Sequence, residues 1–186
     1  KLAKKNIIRM GEDKSYVFNV GCPRIDEVKH ILKIEPSDLN NTINKFGVGS
    51  KLNLNKPFIT IMNHPVTTEY GNGEKEISNI LDIVNKINIQ KIVFWPNPDA
   101  GSEDISRGIR KWREKFGDNK TRYFKNLEQK YFYHILNKTK CLIGNSSSGV
   151  REGCFIGVKN ICIGSRQSGR EIGKNTIMVK NDKKKI

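Results

Sequence analysis

The feature that most limits how this chain can fold is a regular alternation, from residue 58 to residue 179, of short apolar runs with amphipathic stretches. Phe58-Ile59-Thr60-Ile61-Met62, Lys91-Ile92-Val93-Phe94-Trp95, Thr121 to Phe124, Cys141 to Ile143, Val158 to Ile163 and Thr176 to Val179 are strand candidates. Between the first two, Glu74 to Ile89 brings Ile77, Ile80, Leu81, Val84 and Ile87 onto one helical face. The next helix, Glu103 to Phe116, carries Ile105, Ile109, Trp112 and Phe116, and Gln129 to Leu136 and Arg151 to Phe155 are also helical. Strands that lack polar alternation are buried on both faces, and helices between them make parallel crossovers. The expected fold class is therefore α/β, a Rossmann-like parallel sheet with helices on both faces. Ligands of such sheets lie beyond the carboxyl ends of the strands.

The residues before this alternation read differently. Lys1 to Met10 suits the end of a helix, Tyr16 to Val20 a short strand, and Pro23 the first turn of a helix through Leu32. Residues 36–56 contain Pro36, Gly47, Gly49 and several asparagines with little apolar periodicity, which marks a loop or linker. The expected division is 1–35 as the end of a preceding domain and crossover, 36–56 as linker, and 57–186 as a ligand-binding domain.

Polar clusters follow four of the strand candidates, and in a parallel sheet they would meet on one rim. His64 follows the first strand, beside Pro65; its imidazole suits donation to a phosphate or titration near neutrality. Asn97 and Asp99 lie in a Pro-x-Pro turn, where Asp99 in particular is suited to bracing its own backbone, and Ser102 before Glu103 suits an N-cap. The run Gly144-Asn145-Ser146-Ser147-Ser148-Gly149 opens a helix with more hydroxyls than capping requires, which favours an anion, although a plain N-cap is the competing role. It matches neither the P-loop nor the dinucleotide fingerprint. Glu152, in the first helical turn, suits acceptance from ribose hydroxyls, and Arg166 would reach the same rim to pair with phosphate or with Glu152.

A net charge of +15 brings nucleic acid into consideration. The lysines are scattered, however, and are not interleaved with the aromatic residues on which bases stack, so nucleic acid is disfavoured as a partner. Cys22, Cys141, Cys154 and Cys162 form no C-x-x-C pair and have no histidine cluster nearby, so no metal and no disulfide framework is expected. Their apolar neighbours suggest buried thiols in a reducing, cytoplasmic setting. No apolar run approaches a membrane span, and no cofactor is called for. Oligomeric state is not legible, so a homo-oligomer stays open.

Five blocks together resemble the C-terminal half of the UDP-N-acetylglucosamine 2-epimerase family. They are Gly21 to Asp26, His64 to Thr68, Pro96 to Ser102, Gly144 to Glu152 and Gly164 to Glu171, spanning most of residues 11–182 in the family's order. The similarity is greatest to hydrolysing members that serve sialic acid and legionaminic acid biosynthesis. The resemblance implies a GT-B fold, two Rossmann-like domains gripping a UDP-sugar between them, with this chain as the C-terminal one. It implies that His64, the catalytic candidate of this half, and Asn97 approach the substrate, that Ser146 and Ser147 bind the diphosphate, and that Glu152 binds the ribose. Arg166 would serve the nucleotide side, and Leu127 would line the uracil pocket, partly through its backbone.

The implied reaction converts UDP-GlcNAc and water to N-acetylmannosamine and UDP through loss of the C2 proton and elimination of UDP. The carboxylates that move that proton belong to the family's N-terminal domain, so these residues alone are expected to bind UDP weakly and to turn over nothing. A Lys at the first position and a charged end at Ile186 add to the expectation of a fragment. Ser-Ser-Ser-Gly-Val-Arg-Glu favours the hydrolysing branch over the non-hydrolysing one, which usually has Asp and Gly in the turn and Gln in place of Arg151. A UDP-diacetamido sugar is an alternative substrate, and a basic nucleic-acid-binding module is the alternative from a different class.

Overall fold

The structure, a computed structural model, describes residues 2–186. Its elements in chain order are α1 (Leu2–Arg9), α2 (Pro23–Ile31), α3 (Leu39–Phe46), β1 (Val48–Gly49), β2 (Phe58–Met62), α4 (Gly73–Asn85), β3 (Gln90–Phe94), α5 (Ser102–Phe116), β4 (Thr121–Phe124), α6 (Gln129–Lys138), β5 (Leu142–Gly144), α7 (Ser147–Val150), α8 (Glu152–Ile156), β6 (Asn160–Ile163) and β7 (Thr176–Val179). The strands form one sheet in the order β1-β4-β3-β2-β5-β6-β7. Every pairing is parallel except that of β1 with β4.

The apolar runs explain the layering. Side chains alternate across a strand, so in β2 Phe58 and Met62 point to one face and Ile59 and Ile61 to the other. Phe58 and Met62 join Ile43 of α3 and Ile135 and Leu136 of α6 in one core. Ile59 and Ile61 join Ile77, Ile80, Leu81 and Val84 of α4 and Ile105, Ile109 and Trp112 of α5 in the other. Both faces of the central strands are covered by helices, as strands buried on both sides require; contrary to the sequence expectation, β7 at the edge is not buried on both faces, and its Ile177 and Met178 are exposed.

The chain leaves β2 toward β3 and β4 on one side, and returns to place β5, β6 and β7 on the other. The strand order thus reverses between β2 and β5, where the loops that follow diverge and leave a crevice. Gly144 permits the close approach there: it has φ of 135°, and a Cβ at this position would overlap the Met62 carbonyl.

Several expectations need correction. Residues 36–56 are not a plain linker; they hold α3 and β1, and β1 extends the sheet. Its anchor is Arg122 of β4, 5% exposed, whose guanidinium donates to the carbonyls of Ile43, Asn44, Gly47, Gly49 and Ser50. A cation at the C-terminal end of α3 is also favoured by the helix dipole.

Tyr16 to Val20 is not a strand. Asp13 caps a turn of 3-10 helix over Lys14–Tyr16, and among the described residues no strand pairs with the extended chain after it. α4 stops at Asn85, leaving Ile87 exposed. Gly101, not Ser102, is the N-cap of α5. The helix expected from Arg151 begins earlier, at Ser147, and breaks at Arg151 (φ −106°, ψ −82°) into α7 and α8. Of the four cysteines only Cys162 is buried; Cys22 and Cys154 are exposed and Cys141 is intermediate.

Candidate functional site

The crevice at the β2/β5 reversal is built from the polar loops after β2, β3, β5 and β6. His64, two residues beyond β2, is 4% exposed. Its backbone is clamped by the Asn145 side chain: His64 N–H donates to Asn145 Oδ1 at 2.7 Å, and Asn145 Nδ2 donates to the His64 carbonyl at 2.7 Å. An amide side chain here mimics one more residue of strand pairing, just past the Met62–Gly144 register. The His64 ring is fixed from the other side, where the Asn97 backbone N–H donates to Nδ1 at 3.1 Å.

That bond settles the ring's state. A ring nitrogen that accepts carries no proton, so the proton of the neutral imidazole is on Nε2, which is left as a donor. Burial first, and then the charge of Arg166, lower the His64 pKa from 6.5 to about 4; Asp99 opposes them. His64 therefore does not titrate near neutrality, contrary to the sequence expectation, but presents a neutral N–H.

Arg166 reaches the rim from the loop after β6. Its Nη2 lies 3.7 Å from Asp99 Oδ2, and its Nη1 makes a long 3.5 Å contact with the Asn145 carbonyl. The expected pairing with Glu152 is absent, and Asp99, expected to brace its own turn, instead faces Arg166. A cleft of about 450 Å³ runs past these groups, lined by Pro65 to Glu69, Asp99, Ser165 and Arg166. Glu69 and Ser165 close it with a short side-chain hydrogen bond.

Ser146 follows Asn145 directly and is the N-cap of α7, its oxygen accepting from the Ser148 N–H at 3.3 Å. The capping role weighed from sequence is thus real, yet it engages only the hydroxyl oxygen; the O–H remains a donor. Ser147 is the first residue of α7 and half-buried.

Glu152 and Leu127 make their hydrogen bonds with sequence neighbours rather than with this group. Glu152 is 3% exposed, with Oε1 3.0 Å from Arg151 Nη2 and Oε2 lacking any hydrogen-bond partner. Leu127 lines a separate depression of about 270 Å³ after β4, with Phe46, Asn126, Glu128 and Tyr131. Its N–H is taken by the Asn126 side chain at 2.8 Å.

Two residues of the site escaped the sequence reading, Asn145 as an individual and Gln167. Gln167 is 1% exposed and its Nε2 donates to the Asn145 carbonyl at 2.8 Å. The only signal was their place in the two polar clusters. Chemically, the rim gathers a neutral imidazole N–H, a guanidinium and a serine hydroxyl, a donor set suited to anionic oxygens. Among the described residues no group of three or more His, Cys, Asp or Glu side chains is arranged to hold a metal ion. No helix among them is long and apolar enough to cross a membrane.

Comparison with known proteins gives a consistent picture. The chain is 29% identical over 175 residues to the Campylobacter jejuni GDP/UDP-N,N'-diacetylbacillosamine 2-epimerase (hydrolyzing), covering 94% of this chain and 44% of that protein. It is 30% identical over 177 residues to the corresponding UDP-N,N'-diacetylbacillosamine enzyme of Legionella pneumophila, covering 95% of this chain and 44% of that protein. The chain spans less than half the length of these curated relatives.

Its fold matches the UDP-GlcNAc 2-epimerase of Methanocaldococcus jannaschii, solved in complex with UDP-GlcNAc and UDP, with a TM-score of 0.70 and 17% identity over 98% of this chain and 49% of that one. The Neisseria meningitidis UDP-GlcNAc 2-epimerase bound to UDP-GlcNAc gives 0.67 and 16% over 86% of this chain and 42% of that one. The architecture is thus the Rossmann-like half of a GT-B fold. The family model described as UDP-N-acetylglucosamine 2-epimerase matches residues 1–186, and the chain belongs to that family.

Proposed function

We propose that this chain is the nucleotide-gripping half of a cytoplasmic, hydrolysing UDP-GlcNAc 2-epimerase, which converts UDP-GlcNAc and water to N-acetylmannosamine and UDP. The observation that carries the proposal is the pinned, neutral His64 beside Arg166 at the sheet's reversal point, with Ser146 one residue beyond the Asn145 clamp. In the reaction the C2 proton is removed, the C1–oxygen bond breaks with its electrons leaving on UDP, and water adds to the resulting glycal. The carboxylates that move the C2 proton are assigned to the partner domain of the GT-B fold.

The roles of this half are binding and charge stabilisation. His64 Nε2–H, the Ser146 and Ser147 hydroxyls and the Arg166 guanidinium hold the diphosphate. Charge accumulates on the diphosphate as it leaves, and fixed donors aimed at it lower the barrier. Asn97 approaches the sugar. Glu152, whose Oε2 is buried without a donor, gains one from a ribose hydroxyl, and the Leu127 carbonyl receives the uracil.

The serine run and Arg151 support the hydrolysing outcome, as do two relatives whose names carry that word. Those same names favour a second reading in which the sugar is N,N'-diacetylbacillosamine. Thermal unfolding of the chain with UDP tests the proposal. UDP should raise the melting temperature, and Arg166→Ala should weaken binding roughly 10- to 100-fold, the worth of one charge-assisted hydrogen bond. No shift with millimolar UDP, together with salt-steep binding of an oligonucleotide, would favour the nucleic-acid module instead.

A further inference from the structure

The loops that carry the donors are joined beneath the rim by buried amide side chains. Asn145 is 1% exposed, and each of its polar groups is spent on the protein. Its side chain holds both backbone groups of His64, its N–H donates to the Met62 carbonyl at 3.0 Å, and its own carbonyl accepts from Gln167 Nε2 at 2.8 Å. Gln167, adjacent to Arg166 in sequence, is equally buried at 1% exposure. The chain of bonds therefore runs from the loop after β6, through Gln167 and Asn145 on the loop after β5, to His64 on the loop after β2. From His64 Nδ1 it continues to the Asn97 N–H on the loop after β3.

We propose that Asn145 and Gln167 are positioning residues of the rim: Gln167 fixes Asn145, and Asn145 fixes His64, Arg166 and Ser146 in one mutual geometry. Two features distinguish this from ordinary loop bracing. The Asn145 clamp acts on the backbone of the residue whose ring is the buried donor, so a shift of Asn145 moves the His64 ring and its Asn97 bond together. Gln167 also retains a buried Oε1 with no partner. An unsatisfied acceptor is unfavourable, so an amide at this position is not what stability alone would select, whereas its Nε2 donor is used. Buried hydrogen-bond chains of this kind reinforce one another, and small misplacements of groups around a reacting bond are costly in rate.

The test uses Gln167→Met, which keeps the length of the side chain and removes the donor, in a chain labelled with ¹⁵N at histidine. In wild type the His64 ring should stay neutral, protonated on Nε2, down to about pH 4. In Gln167→Met it should titrate about one unit higher or more as the ring loosens toward solvent, and UDP affinity should fall about tenfold, the effect of one lost hydrogen bond. An unchanged His64 titration with unchanged UDP affinity would overturn the proposal. The affinity arm rests on the diphosphate reading above; the His64 arm does not, so failure of wild type to bind UDP would refute that reading while the ring titration still decides this one. If Gln167→Met does not fold, native-state hydrogen exchange on wild type decides: the His64 and Asn97 amides must open as one unit, and independent opening would overturn the coupling.

Discussion

Replacing His64 by Gln removes a buried imidazole, and the consequence can be worked out as a pH dependence. In the folded chain the ring is held at a pKa of about 4 against an ordinary 6.5, chiefly by burial and secondly by Arg166. Between these values the unfolded chain binds a proton that the folded chain does not, so stability falls as pH drops. The loss begins near the unfolded value and is complete below about pH 4; above 6.5 the ring is neutral in both states and contributes nothing to the slope. At 1.36 kcal/mol per unit, the wild type should lose about 2–3 kcal/mol from this group by pH 4.5. Carboxylates contribute their own acid sensitivity, but almost all are common to both proteins and cancel in the difference. Urea unfolding of wild type and His64→Gln at pH 7.5 and 4.5 measures it, and the variant should be the less acid-sensitive of the two by that amount. Parallel stability curves, agreeing within about 0.5 kcal/mol across the range, would mean that His64 is not buried in the neutral form, and the donor geometry at the rim would fall with it.

Two further predictions address the frame around the site. Arg122→Met fills similar space but leaves the carbonyls at the end of α3 and along β1 without their shared donor, and should cost about 3 kcal/mol or more in urea unfolding, with amide protection lost first over residues 42–50. Gly144→Ala forces a left-handed φ on an L residue and drives its Cβ into the Met62 carbonyl; together these should destabilise by about 3 kcal/mol, whereas Gly157→Ala, with the same sign of φ and open space around it, should cost about 1 kcal/mol in the same measurement.

Sequence made the layers legible because the information was local. Phe58 to Met62 is buried at every position and four of its five residues are apolar, so the strand shows directly as a run, and the helical faces of α4 and α5 appear as periodicity; β4, equally buried, shows only Tyr123 and Phe124. β1 left no such trace. Val48 and Gly49 are a strand because the Arg122 guanidinium, more than 70 residues away in sequence, gathers the carbonyls around them. Tyr16 to Val20 is the converse: strand-forming side chains without a neighbouring strand to pair with, and β propensity amounts to little without that neighbour.

The site divides along the same line. His64, Asn97, Ser146, Ser147 and Arg166 were legible as candidate polar residues beyond strand ends, because residue type and position after an apolar run are both local facts. What the donors are able to do was not. Whether His64 is a titrating base or a fixed neutral donor depends on its depth and on the Asn97 N–H, and both follow from the strand order. That order sets β2 beside β5, so that residues 64 and 145 meet across 81 positions of chain. An asparagine in a polar turn has many local uses, so nothing in Gly144-Asn145-Ser146 distinguishes a side chain that clamps a distant backbone from one that braces its own. Candidate ligand-facing residues can thus be proposed from the sequence by their chemistry, whereas the buried amides that tie their loops together can be named only once the topology has brought their partners within reach.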